Sequence, residues 1–439
     1  MSRKILLVVA VLFSCSMLYY IQRILVPYQL RESAASGRPR GNLSDLYPRW
    51  LGSRELLVHH RDPYSPEVTR QIQLGYYGRP LDPQRATDPK DQEAFAYPVY
   101  VAFLLWPFIY ADFSIIMPLF SWLLVLLTLA SVLLWHRALR LRLPALVIVS
   151  TLLLTLGSFQ VLQGVKLQQL SLLVGGLVAA CVAALAGGHL ALAGFLMALA
   201  TIKPQLAVPM FCWLALWALS DLHRRRRFLF SFFLTLAVLA GGGEWLLPGW
   251  VSRFRTAIHA YMQYTGGRSL LQQMTTHAIG SALTVVLILF TAAVCWRARR
   301  AEPGSRVFSW TLALVLASTV SIVPMLAPYN HVLLLPAILM AYSEFSALWQ
   351  RGLIFRAAIA LVVVAIAWPW LATLSLFVAH FFVPVAKLES AWTLPLYSML
   401  TIPLAVLALL LQPSWRGGFD RPGNPSAKPR PTAASHTPA

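Results

Sequence analysis

Apolar runs recur from one end of the chain to the other, and they leave it little else to fold into. They fall at roughly 5–22, 113–135, 143–159, 170–186, 190–202, 206–220, 228–246, 277–296, 307–326, 331–348, 357–379 and 395–411, with a shorter one at 97–110. Crossing a bilayer takes about 20 helical residues, within a range of about 17 to 25. Several of the runs reach that length and a few are short. Of 439 residues 58% are hydrophobic and only 12% charged, where a soluble domain carries about 25% charged residues. A soluble fold, a disordered chain and a collagen-like fibre are therefore excluded. The expectation is an all-α integral membrane protein.

The basic residues orient it. Arg3 and Lys4 precede the first run, and no small-residue cleavage site follows directly, so 5–22 reads as an uncleaved signal anchor with a cytoplasmic N-terminus. The connections 136–142, 221–227, 297–306 and 350–356, with the tail from 412, hold 17 Lys/Arg, and the alternate connections hold 6. Positive-inside places the 17 in the cytoplasm. That requires 97–110, bounded by Pro98 and Pro107, to enter and leave on one side as a re-entrant segment. The expected architecture is about 12 transmembrane helices plus that segment, both termini inside and a large first loop, about 26–96, outside. Residues 1–411 form one domain. The Pro-rich basic tail 412–439 is expected to be disordered in the cytosol and open to anionic lipid. Much of the net charge of +20 is thus topological and carries no nucleic-acid partner. No solenoid repeat and no transporter-like inverted repeat is visible.

Acidic residues are scarce, so their placement informs. Nine of the 16 lie in the first external loop: Glu32, Asp45, Glu55, Asp62, Glu67, Asp82, Asp88, Asp91 and Glu93. Carboxylates are nearly absent at membrane depth, which argues against a proton or cation pump. Residues 44–60 read as a short helix lying on the membrane, capped by Ser44 or Asp45 with Pro48 in the first turn. Its apolar face would be Leu46, Trp50, Leu51, Leu57 and Val58, with Arg49, Arg54, His59 and His60 near the headgroups. Asp62-Pro63-Tyr64-Ser65-Pro66 reads as the turn that ends it. Asn42-Leu43-Ser44 matches a glycosylation sequon, a weak three-residue pattern.

Lys203 stands between two apolar runs, neither of which needs a cation. It either snorkels to the interface or sits where a lipid phosphate would lie. Further polar breaks share its face: Gln160 to Gln169 with Lys166, the stretch 247–276 with Arg253, Arg255, His259 and Arg268, and Pro328-Tyr329-Asn330-His331. Each alone is more often an interfacial anchor. Together they surround one outer-face cavity. The four cysteines are scattered singly, and there is no Walker loop, HExxH or GxSxG. No cofactor and no metal site is expected, with divalent-metal dependence left open.

An external sugar transfer suits this arrangement. Without a nucleotide-sugar pool outside, the donor is expected to be phosphate-linked to a lipid. The attacking hydroxyl needs one base, and a phosphate leaving group needs cations and amides more than an acid. Glycosidases, by contrast, need two carboxylates.

The run from Asp45 through Asp62-Pro63-Tyr64 and Tyr97-Pro98 resembles glycosyltransferase family 87. So do Gln168-Gln169-Leu170-Ser171-Leu172-Leu173, Ala193-Gly194-Phe195-Leu196 on to Lys203-Pro204, and Pro328-Tyr329-Asn330-His331. That family holds GT-C-type membrane glycosyltransferases, among them polyprenol-phosphate-mannose-dependent mannosyltransferases. The resemblance implies a GT-C-type helical bundle in a bacterial inner membrane. It implies transfer of mannose or another hexose from a polyprenyl-phosphate donor to a lipid or glycan acceptor at the outer face. Asp45 matches the general base, with Asp62 its rival; Lys203 and His331 match positions near the donor phosphate. Asn330, Gln169, Arg255 and Tyr97 complete the candidate substrate-binding set. The chain departs from the family at Tyr97-Pro98-Val99, where a second proline is familiar, and at Ala327 to Asn330. The alternatives are a transporter or flippase for lipid-linked glycans, and an oligosaccharide ligase or polymerase, whose large external loop typically comes later in the chain.

Overall fold

The computed structural model describes residues 2–36, 44–82, 84–324, 327–350 and 352–411. Asn42 and Leu43 of the sequon and the tail 412–439 lie outside the described residues. Among those described, every regular element is helical.

Among the described residues, six helices are long and apolar enough to cross a membrane: Arg3–Ala35, Phe113–Ala138, Leu222–Leu246, His277–Ala298, Leu353–Ala379 and Val385–Leu410. Ala145–Leu156 and Phe159–Lys166, bent by 53°, make a seventh if they form one span. Four further apolar helices, Leu170–Ala186, Leu190–Ala200, Pro204–Leu219 and Arg306–Ile322, are shorter. Length and composition thus supply fewer crossings than the twelve expected. The reason is visible in Arg306–Ile322, where every residue from Phe308 to Ser321 is buried. A helix apolar on all sides is buried by neighbours on all sides, and such a helix need not be matched in length to the bilayer.

The outer loop starts later than expected. The first helix does not stop near residue 22: it runs through a π-helical turn, Ile21–Leu25, into Val26–Ala35, with Pro27 just after that turn. The segment 97–110 holds a five-residue helix, Val101–Leu105, and a 3-10 turn, Trp106–Phe108. At about 1.5 Å rise per residue this helix falls far short of a hydrocarbon core of about 30 Å.

The helix expected on the membrane surface is instead docked into the protein. It spans Tyr47–His59, has no capping side chain at its start, and buries Pro48, Arg49, Trp50, Gly52, Ser53, Glu55 and Leu56. A Cβ on Gly52 would stand 2.3 Å from the Phe95 ring, so glycine allows the helix to seat there. Trp50 Nε1 donates to the Phe108 carbonyl at 2.9 Å. Arg49, read as facing headgroups, is therefore buried.

Close backbone approach also positions the rest. A Cβ on Gly194 would lie 2.2 Å from the Phe228 carbonyl oxygen and 2.9 Å from the Phe232 nitrogen. Only glycine admits the contact between Leu190–Ala200 and Leu222–Leu246, the small-residue mode of helix packing in membranes. A Cβ on Gly175 would come within 2.9 Å of Val332. Its absence brings the 3-10 helix Pro328–Leu334 against Leu170–Ala186, setting Asn330 beside Ser171.

Candidate active site

Three helix starts converge. The helix Phe159–Lys166 ends at Leu167, and Gln168 turns left-handed, φ 47°. Its amide Nε2 holds that turn, donating to Ser121 Oγ at 2.8 Å and to the carbonyls of Val165 and Lys166 at 2.8 and 3.0 Å. Gln169 then opens Leu170–Ala186 as its N-cap, but its side chain makes no capping bond. Freed from that role, it reaches across to the first external loop.

That loop is fastened to the same turn. The Asp45 N–H and the Ser44 hydroxyl both donate to the Leu167 carbonyl, at 3.0 and 3.3 Å. Asp45 is not an N-cap, since Tyr47–His59 starts from Leu46 without one. Its carboxylate Oδ2 accepts from Gln169 Nε2. The other carboxylate oxygen has no hydrogen bond among the described residues, as a proton acceptor requires.

Lys203 is the third start. It precedes Pro204, the first residue of Pro204–Leu219, and is 6% exposed, so it does not snorkel. Its Nζ donates to Gln169 Oε1 at 3.1 Å and to Ser171 Oγ at 2.6 Å, and Ser171 Oγ donates to Asn330 Oδ1 at 2.8 Å. An ammonium has three donors; two are used, both on neutral groups, and one is left. The rings of Tyr97 and Tyr329 stand 5.9 and 5.3 Å from Nζ, within cation–π reach. One amide thus holds the carboxylate at one end and the ammonium at the other.

Asp45, Gln169, Lys203 and the two tyrosines line a cavity of about 310 Å³ with Arg49, Arg255, His259 and Tyr261. The sequence candidates Asp45, Tyr97, Gln169, Lys203, Arg255 and Asn330 all meet there. Two do not. His331 lines a neighbouring, mostly apolar cavity of about 250 Å³ with Val332, Leu335 and Trp370, and both its ring nitrogens are buried without a partner among the described residues. Asp62 lines a separate cleft, where it accepts from the Tyr64 N–H at 2.9 Å and pairs with Arg253.

Arg49 is the residue that sequence reasoning missed. Its Nη1 donates to the Asp45 carbonyl at 2.6 Å, its guanidinium lies 4.7 Å over the Tyr97 ring, and Glu93 approaches it at 4.0 Å. Its buried Nε has no partner among the described residues. The available signal was its spacing of four residues from Asp45.

Burial raises the pKa of Asp45 above the ordinary carboxylate value, with the charge of Asp91 adding to it. Arg49, Lys203 and the Gln169 hydrogen bond pull the other way without prevailing. A carboxylate so placed is a stronger base than one in water while it remains ionised. Against that single lining carboxylate stand the cations of Lys203, Arg49 and Arg255, a surplus suited to an anion.

Residues 95–328, a little over half of the chain, match the family model of glycosyltransferase family 87. The chain belongs to glycosyltransferase family 87. No curated protein and no solved structure matches it. A family 87 chain with several apolar helices of spanning length is a multi-pass membrane glycosyltransferase, so the reading of the sequence as a non-enzymatic transporter falls away. Tyr97, Gln169, Lys203 and Arg255 lie inside the matched residues; Asp45, Asn330 and His331 lie outside them.

Proposed function

We propose that this family 87 enzyme transfers a hexose, mannose among the candidates, from a polyprenyl-phosphate donor to a hydroxyl of a lipid or glycan acceptor. The reaction takes place at the outer face of a bacterial inner membrane, with Asp45 as the base. The observation that carries the reading is the Gln169 amide, joined at once to the Asp45 carboxylate and the Lys203 ammonium in one cavity. The acceptor hydroxyl gives its proton to Asp45 as its oxygen bonds to the anomeric carbon. The bond from that carbon to the phosphate oxygen breaks, and the electron pair leaves on the phosphate. Lys203 and Arg255, with Arg49 behind them, stabilise the phosphate as its charge grows.

An amphiphilic donor suits the two cavities that Pro328–Leu334 divides. The charged end belongs on the Tyr329 and Asn330 side, and the first isoprenyl units on the apolar side with His331 and Val332.

A single displacement with one base inverts the anomeric centre. NMR of the product is therefore expected to show the opposite anomer from the donor, and retention would refute the mechanism. The pH profile gives a second check. Because the base must be ionised and its pKa is raised, activity is lost on acidification at a higher pH than an ordinary carboxylate would give. Arg49 opposes that rise, so Arg49→Met is expected to move the acid limb of kcat/KM further up in pH. An unmoved or lowered limb would remove Asp45 as the titrating base.

A further inference from the structure

On the other side of the helix Trp250–Thr265 lies a second depression, of about 550 Å³, within the ~300–1,000 Å³ of small-molecule sites. It shares two walls with the Asp45 cavity. Phe254, Arg255, Ile258 and Tyr261 of that helix face the Asp45 side, and Arg253, Thr256, Ala257 and Tyr264 face the cleft. Along the first loop, Ala94 and Phe95 line the cleft while Ala96 and Tyr97 line the cavity. Tyr64 ties the two together: its ring packs edge-on to Phe95 at 5.2 Å and its hydroxyl donates to the Tyr97 carbonyl at 2.5 Å.

The lining chemistry separates the cleft from the cavity. Its charged side chains among the described residues are Asp62 and Arg253, and these pair with each other. No cation is left over for a phosphate. What remains is hydroxyl and amide, from Ser65, Thr69, Gln92, Ser252 and Thr256, with the phenol rings of Tyr64 and Tyr264 beside them. Hydroxyls that both donate and accept, next to apolar ring faces, match a molecule that alternates hydroxyls with C–H faces and carries no charge.

We infer that this cleft binds neutral saccharide units of a glycan acceptor, holding them across Trp250–Thr265 from the reacting hydroxyl. The inference rests on the proposed sugar transfer and adds to it where the acceptor lies and that it has more than one sugar. The dividing helix suits such an arrangement: beyond its buried first residue, Trp250, residues 251–264 are half-buried or exposed, and left-handed glycines, Gly249 at φ 74° and Gly266 at φ 79°, bound it.

The test is binding without turnover. The full-length protein in nanodiscs is titrated calorimetrically with neutral trisaccharides of mannose, glucose and galactose at millimolar concentration. Ala260→Trp and Thr256→Trp, two exposed positions on the cleft side, place bulk in the cleft without touching the core. At least one trisaccharide is expected to bind the wild type saturably, and each tryptophan variant to weaken it by about tenfold or more. No binding by any trisaccharide, or equal binding by both variants, would overturn the inference. Displacement of the sugar by inorganic phosphate would place it in the Asp45 cavity and overturn it too. A wild type that binds trisaccharide yet transfers no sugar would count against the proposed reaction alone.

Discussion

Lys203→Met is expected to lower kcat/KM for a polyprenyl-phosphate sugar by about 10²–10³, the loss found when one preorganised donor to a developing anion is removed. Methionine keeps most of the stem and removes the charge. The charge matters because its surroundings are dry: two opposite charges about 4 Å apart at an effective dielectric near 20 interact by about 4 kcal/mol. Lys203 makes its two hydrogen bonds to the neutral Gln169 and Ser171, so the ammonium is not consumed by a protein carboxylate in direct contact. Steady-state kinetics over donor concentration, with thermal unfolding as the control for folding, checks it. Because the phosphate is an anion before and after the bond breaks, donor KM should rise as well as kcat fall. Wild-type kcat/KM in a folded variant would take Lys203 out of the site.

Asp45→Asn acts on chemistry more than on binding. The amide is nearly isosteric and can still accept from Gln169 Nε2, so the loop stays fastened through the Asp45 N–H and the Ser44 hydroxyl. Removing the base is expected to lower kcat by about 10²–10⁴ with donor affinity little changed. Asp62→Asn is expected to stay near wild type in kcat, because Asp62 caps its own turn and pairs with Arg253 in the other cleft. A large kcat loss in Asp62→Asn with a mild one in Asp45→Asn would reverse the assignment.

Lys203 was legible in the sequence because neither of the apolar runs beside it needs a cation. Asp45 stood out through the scarcity of acids and the resemblance of its loop to family 87. Gln169 and Asn330 were legible only as members of polar breaks; their joining through Ser171 depends on Gly175 letting the 3-10 helix approach. His331 follows Asn330 in sequence yet faces another cavity, because a 3-10 helix turns about 120° per residue and sends neighbours to different walls. Arg49 was hidden by the amphipathic reading of 44–60: the pattern shows which residues are apolar, not that Phe95 waits to receive Gly52. Twelve crossings are not confirmed for the same reason. Apolar composition does not distinguish lipid from protein surroundings, so 307–326 reads like 113–135 although the helix Arg306–Ile322 is sheathed by protein.

The most direct measurement is single-turnover sugar transfer in nanodiscs, with wild type and Asp45→Asn offered the same panel of polyprenyl-phosphate hexoses, the corresponding nucleotide sugars, and neutral mono- and oligosaccharide acceptors. Wild type is expected to form product from a lipid-phosphate donor and not from a nucleotide sugar, with the rate falling at least about a hundredfold in the folded variant. Product from nucleotide sugars alone, or equal rates from the two proteins, would contradict the account.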